Sequence, residues 1–159
     1  MPVKNTHEFL EQAFLKALGA AKPSEILPVS LATVFKNPLA GRCLVLGAGK
    51  AAASMAATLE AYAHEHWPDI QLEGMVVTRY GHAMPTKTIQ VVEASHPVPD
   101  AAGLDAARKT LNLIATLQAN DQLIVLISGG GSSLLTLPGS GLSMLVAVMP
   151  SGVMMCACT

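Results

Sequence analysis

The sequence predicts an α/β fold: a three-layer sandwich in which helices cover both faces of a mainly parallel sheet. Three observations carry that expectation. Four strand-length apolar runs, Arg42–Leu46, Gly74–Thr78, Ile89–Glu93 and Leu123–Ile127, stand between segments of helical period. The runs are more continuous than alternating, as in strands buried on both faces. Each run feeds a short loop of glycine, hydroxyl or basic residues. In parallel sheets, ligands gather at such carboxyl ends.

The elements follow in order. Met1–Asn5 reads as a frayed start. Thr6 is placed to cap a helix, with Phe9, Leu10, Ala13, Phe14, Ala17 and Leu18 at helical spacing and Gly19 as a stop. Ala20–Pro28, broken by Pro23 and Pro28, reads as a connector. Val29–Phe35 is ambiguous between a short strand and a helical turn, and Lys36-Asn37-Pro38 is a turn. The first strand, Arg42–Leu46, runs into Gly47-Ala48-Gly49-Lys50. An alanine-rich run from Ala51 to His66 then predicts a helix, since alanine is the best helix former. Trp67-Pro68-Asp69 ends it. The second strand, Gly74–Thr78, ends at Arg79-Tyr80-Gly81-His82, and a short link without an obvious helix leads to the third. After the third strand, Ala94-Ser95-His96-Pro97 leads to Pro99-Asp100. Asp100 is the expected N-cap of a helix over Ala101–Leu117. Asn120-Asp121 turns the chain into the fourth strand, which ends in Ser128-Gly129-Gly130-Gly131-Ser132-Ser133, with Leu134 and Leu135 opening a helix.

Composition narrows the function classes. Of 159 residues, 51% are apolar and 13% charged, which argues for a packed core rather than disorder. A net charge of −1 gives no footprint for nucleic acid. The five histidines show no metal-ligand spacing, so no metal site is assigned. Cys43 lies in an apolar run and reads as core; Cys156 and Cys158 are at the C-terminal end. An odd cysteine count without a signal peptide points to a cytoplasmic location. No Asp, Glu, Lys or Arg follows Asp121.

The loops carry the candidate chemistry. Ser128–Ser133 reads as an anion cradle, because glycines let main-chain N–H groups approach a ligand; the alternative is a plain connecting turn. Ser128, Ser132 and Ser133 are candidate donors to a phosphate. Gly47-Ala48-Gly49-Lys50-Ala51-Ala52 fits the permissive dinucleotide fingerprint G-x-G-x-x-A. The acidic residue that would hold a ribose is absent, and Arg79 stands there instead, which suits a 2′-phosphate and keeps NADP open. A P-loop is excluded because Ala51 follows Lys50. Lys50 at the first turn of a helix opposes the macrodipole, which an anionic ligand would offset. Arg79 and His82 are candidates for a carboxylate or phosphate, and His96, between strand and proline, for an acid or base. For each of these, a surface or buried structural role is the alternative. A serine hydrolase is disfavoured, since G-x-S-x-G is absent.

Taken together, Leu44–Ala51, Val77–His82, Glu93–Asp100 and Leu126–Ser133 resemble the N-terminal domain of the class II glycerate 2-kinases, some of which are named hydroxypyruvate reductases. The resemblance covers roughly Thr6 to Pro138. It implies a Rossmann-like domain over residues 1–140 of a two-domain enzyme whose cleft holds the active site. It also implies ATP and Mg²⁺ as cofactors, with D-glycerate phosphorylated at its 2-hydroxyl. Catalytic roles fall on Lys50 and His96. Phosphate or substrate binding falls on Gly47, Gly49, Arg79, Ser128, Gly129, Gly130, Gly131, Ser132 and Ser133. Partners are then a nucleotide and a small acid, with no membrane and no nucleic acid, and a homo-oligomer is left open. Residues 141–159 depart from the family pattern, and the expectation is a truncated or frame-shifted reading frame lacking the second domain. An NAD(P)H-dependent hydroxypyruvate reductase and an inactive fragment or binding module are the alternatives.

Overall fold

The structure, a computed structural model, describes residues 6–139. Its elements are α1 (Thr6–Ala20), α2 (Pro23–Val34), β1 (Gly41–Ala48), α3 (Ala52–His66), β2 (Ile70–Arg79), β3 (Ile89–Ala94), α4 (Ala101–Ile114), β4 (Gln122–Ile127) and α5 (Gly131–Leu134). The strands form a four-stranded sheet in the order β3-β2-β1-β4. Every pairing is parallel. The expected α/β class is the observed one. The atypical tail expected over 141–159 lies outside the described residues.

β1 is the centre. It pairs with β2 on one side and β4 on the other, and Cys43 to Ala48 are all buried. Cys43 and Val45 share a core with Val76, Ile124 and Leu126 of the sheet, Ala52, Ala56, Leu59 and Ala63 of α3, Leu31 of α2, and Trp67. The alanines let α3 lie close to the sheet. Fully burying a side chain such as Leu59 contributes about 2 kcal/mol. On the opposite face, Met75, Val77 and Ala94 pack against Ala106 of α4 and Leu134 of α5. Burial pushes the Cys43 thiol up to about 11, so it stays neutral and serves as core.

Four expectations need correction. The supposed connector and the ambiguous stretch after it form one helix, α2. Pro23 sits in its first turn, where a missing N–H costs little. Pro28 lies inside the helix and removes one interior hydrogen bond. Leu27, Leu31 and Phe35 pack on the α3 core and offset that loss, with Phe35 edge-on to Trp67 at 5.4 Å. β2 starts four residues before the expected Gly74, because it pairs with β1 from Gly41↔Ile70 onward. β4 is not buried on both faces: Ile124 and Leu126 point inward, while Leu123, Val125 and Ile127 are 45%, 54% and 44% exposed. Among the described residues, nothing covers that side of this edge strand. The last helix opens at Gly131, inside the glycine run rather than after it.

The link of residues 80–88 between β2 and β3 carries no helix, as expected, and is tied down by carboxylates. Glu60 of α3 accepts the N–H groups of Lys87, Thr88 and Ile89 at 2.7, 2.8 and 2.7 Å, and the Thr88 hydroxyl at 2.9 Å. Burial alone would raise the Glu60 carboxyl, but these donors outweigh it and hold the group below its usual range. Glu93 accepts from the N–H groups of His82 and Ala83.

Candidate functional site

Parallel pairing puts the carboxyl ends of β1 and β4 side by side, with Ala48 opposite Ile127. The two glycine loops therefore run together, and hydrogen bonds join them. Ser128 N–H donates to Ala48 O at 3.0 Å, and Lys50 N–H donates to Gly129 O at 2.9 Å. Ala51 N–H donates to Ser128 Oγ at 2.9 Å. On the other side, Gly49 N–H donates to Val77 O at 3.0 Å, tying the first loop to β2. Gly49 has φ +134°, and a Cβ there would overlap Ser128 Oγ and its carbonyl. Only glycine fits between the loops.

The third wall comes from β3. Ala94 pairs with Arg79, and the chain then carries His96 back across the sheet end. Gly130, at φ +91°, is the meeting point: a Cβ there would lie 2.8 Å from His96 Nε2 and 3.4 Å from Lys50 Cε. The lysine side chain and the imidazole thus both lie against the same glycine. Asp100 holds the segment that follows. One of its oxygens caps α4 by accepting Gly103 N–H at 3.0 Å, and the other accepts the Tyr80 hydroxyl at 2.8 Å. Burial opposes ionisation of Asp100, but the Gly103 and Tyr80 donors hold its carboxyl below the usual range. The same bond pushes the Tyr80 phenol up.

The structure gathers Gly47, Gly49, Lys50, His96 and Ser128–Gly131 at one sheet end. Gly47 packs beside Leu126 O, where a Cβ would come to 2.5 Å, and Gly131 beside Ala48 O at 3.2 Å. Arg79 is exposed at the end of β2 and takes no part in the bonds and contacts that join these loops. The three candidate serines have different surroundings. Ser128 Oγ accepts from Ala51 N–H and keeps its own hydroxyl hydrogen to donate, Ser133 Oγ donates to Gly130 O at 3.2 Å, and Ser132 is the exposed one of the three.

One residue escaped the sequence reading. Thr78, fully buried at the end of β2, donates its hydroxyl to Lys50 O at 3.3 Å. The available signal was a hydroxyl closing the apolar run Met75-Val76-Val77.

Two further observations describe the surroundings of this sheet end. Among the described residues, no group of three or more His, Cys, Asp or Glu is placed to hold a metal ion. Two cavities lie elsewhere: one of about 950 Å³ runs between α2 and α3, and one of about 1010 Å³ lies along α1. Neither is lined by Lys50, His96 or the glycine loops.

Comparison with known proteins gives the chain a family. A model described as a domain of unknown function, DUF4147, matches residues 9–148. The chain belongs to the DUF4147 family. Among relatives, an Agrobacterium vitis protein named "Putative hydroxypyruvate reductase" is 43% identical over 134 residues, covering 84% of this chain and 29% of its own length. A Pyrococcus horikoshii protein named glycerate 2-kinase is 38% identical over 104 residues, 65% of this chain and 22% of that protein. The crystal structure of a Thermotoga maritima glycerate kinase superposes with a TM-score of 0.70 at 34% identity, covering 82% of this chain and 30% of the other. This DUF4147 chain therefore spans under a third of the length of each of these relatives.

Proposed function

We propose that this chain is the N-terminal part of a glycerate 2-kinase, in which ATP phosphorylates D-glycerate to 2-phosphoglycerate. The observation that carries the reading is the convergence of Lys50 and His96 on Gly130, at the carboxyl end of a parallel sheet. The names of the glycerate kinase relatives support it.

Phosphoryl transfer demands positioning and charge neutralisation more than covalent chemistry. In the proposed reaction the 2-hydroxyl oxygen of glycerate bonds to the γ-phosphorus. The bond from that phosphorus to the bridging oxygen breaks, and ADP leaves. In this reading Lys50 neutralises charge on the transferring group, and His96 takes the hydroxyl proton. Gly129, Gly130 and Gly131 let the phosphates approach the main chain. Arg79 is assigned to the outer edge of the same sheet end. Mg²⁺ would supply further neutralisation in such a reaction, but the described residues offer no carboxylate set for it, so no step here is assigned to the ion.

Titration of the 159-residue chain with ATP tests the reading. Lys50→Ala should weaken binding about tenfold or more, the expected loss for a charge-assisted contact. Equal affinity in wild type and variant would sink the assignment. The reductase reading draws on the G-x-G-x-x-A pattern at the β1–α3 turn and on the name of the Agrobacterium relative. It predicts enhanced NADPH fluorescence on binding and no competition by ATP.

A further inference from the structure

We infer that Thr78 and Ser128 are positioning residues for Lys50. This rests on the reading of Lys50 as a nucleotide-binding group. The peptide units on both sides of Lys50 are held from outside its own loop. Its N–H is taken by Gly129 O at 2.9 Å. Its carbonyl receives the Thr78 hydroxyl at 3.3 Å, and the next N–H, of Ala51, is taken by Ser128 Oγ at 2.9 Å. Two of these three partners are side-chain hydroxyls, so two point substitutions can release them.

Thr78 is the more telling of the pair. It is 0% exposed, and it stands at the last buried position of β2, one strand away from Lys50. A hydroxyl buried without a partner is costly, which is why valine, of the same shape, is the usual occupant of a buried strand position. Met75, Val76 and Val77 obey that rule, and Thr78 departs from it where its hydroxyl meets the Lys50 carbonyl. Ser128 does the same from the other side, and Gly49 lacks a Cβ where Ser128 Oγ comes in. The lysine is thus presented from a backbone fixed by β2 and by the loop after β4. Without that fixing, the backbone that carries the lysine would have to be ordered at the moment of binding in addition to its side chain.

The test is a double-mutant cycle on the full chain, read as ATP affinity. Thr78→Val and Ser128→Ala should each weaken binding about three- to tenfold, the range of one lost hydrogen bond. Thr78→Ser, which keeps the hydroxyl, should restore it. In a Lys50→Ala background, both substitutions should change affinity by less than about twofold. Equal losses in both backgrounds would overturn the proposal, because hydroxyls that only support the fold act with or without the lysine. Should Thr78→Val fail to fold by circular dichroism, Ser128→Ala, at a loop position, carries the cycle. Amide exchange separates the two ideas. If the wild-type chain does not bind ATP, the nucleotide reading fails. The positioning claim is then decided at Ala51, whose N–H should exchange about tenfold faster in Ser128→Ala. Unchanged protection there would overturn it.

Discussion

Gly49 and Gly129 occupy neighbouring strand-end loops of similar composition, yet the fold constrains them differently. The loop after β1 belongs to a central strand. It is bonded to β2 through Val77 O and Thr78, and to the second loop through Ser128 and Gly129. The loop after β4 belongs to an edge strand. Gly129 is exposed, and a Cβ built there meets nothing within 4 Å. A glycine between two neighbours is dictated by the packing. A glycine at an edge is left to whatever approaches from outside. Identical letters thus carry different information, and strand order decides which.

The strongest test of that contrast is Gly49→Ala. The substitution combines a φ of +134°, which side chains rarely adopt, with overlap against Ser128. Backbone strain costs about 1–3 kcal/mol and overpacking a further 1–3 kcal/mol. A destabilisation of about 2–6 kcal/mol is expected, a large share of the stability of a small domain. Urea unfolding should show a lower midpoint with an unchanged slope. A loss under about 1 kcal/mol would mean that the two loops separate easily, and the enclosed-loop picture would fail.

How much of this was legible beforehand also follows strand position. β1, α3 and the cap at Asp100 were readable because local pattern and tertiary environment agree there: an apolar run, an alanine-rich helix, an acid accepting from Gly103. α2 was not, because Pro28 is a local breaker and only the contacts of Leu27, Leu31 and Phe35 with α3 override it. Leu123–Ile127 of β4 is uniformly apolar, a pattern that predicts a buried strand. No sequence pattern shows that it lies at the edge of the order β3-β2-β1-β4. The site divides likewise. Lys50, His96 and the glycine loops announced themselves by residue type and by their place after strands. That Ser128 accepts a hydrogen bond while Ser133 donates one is a matter of three-dimensional register, and Thr78 was hidden within a strand.

Gly130 lies between the two extremes and should respond in between. Its φ of +91° is left-handed, so alanine costs about 1–2 kcal/mol there. The added Cβ would come to 2.8 Å from His96 Nε2, but an imidazole on an irregular segment can yield where Ser128 and its backbone cannot. The expected signature of Gly130→Ala is therefore modest destabilisation with a displaced His96 ring, read as a change in its imidazole nitrogen shifts. A stability loss as large as that of Gly49→Ala would erase the distinction between the loops. An unmoved His96 resonance would remove the ring from the Gly130 wall.

Gly129→Ala should have the smallest effect. Gly129 is not among the glycines of positive φ, so its backbone lies where alanine is permitted. Its N–H and carbonyl keep their places, and the carbonyl still accepts from Lys50. The folded state then loses nothing measurable, while the unfolded chain loses freedom, an effect worth about 0.4–1 kcal/mol in favour of folding at compatible sites. The urea midpoint should stay level or rise slightly. Nucleotide affinity gives the same residue a second reading. A methyl facing the proposed phosphates would hinder their approach to the main chain, so ATP binding should weaken while stability does not. Loss of stability would place Gly129 in the packed interior with Gly49. Unchanged stability with unchanged ATP binding would move the phosphates away from the outer side of this loop.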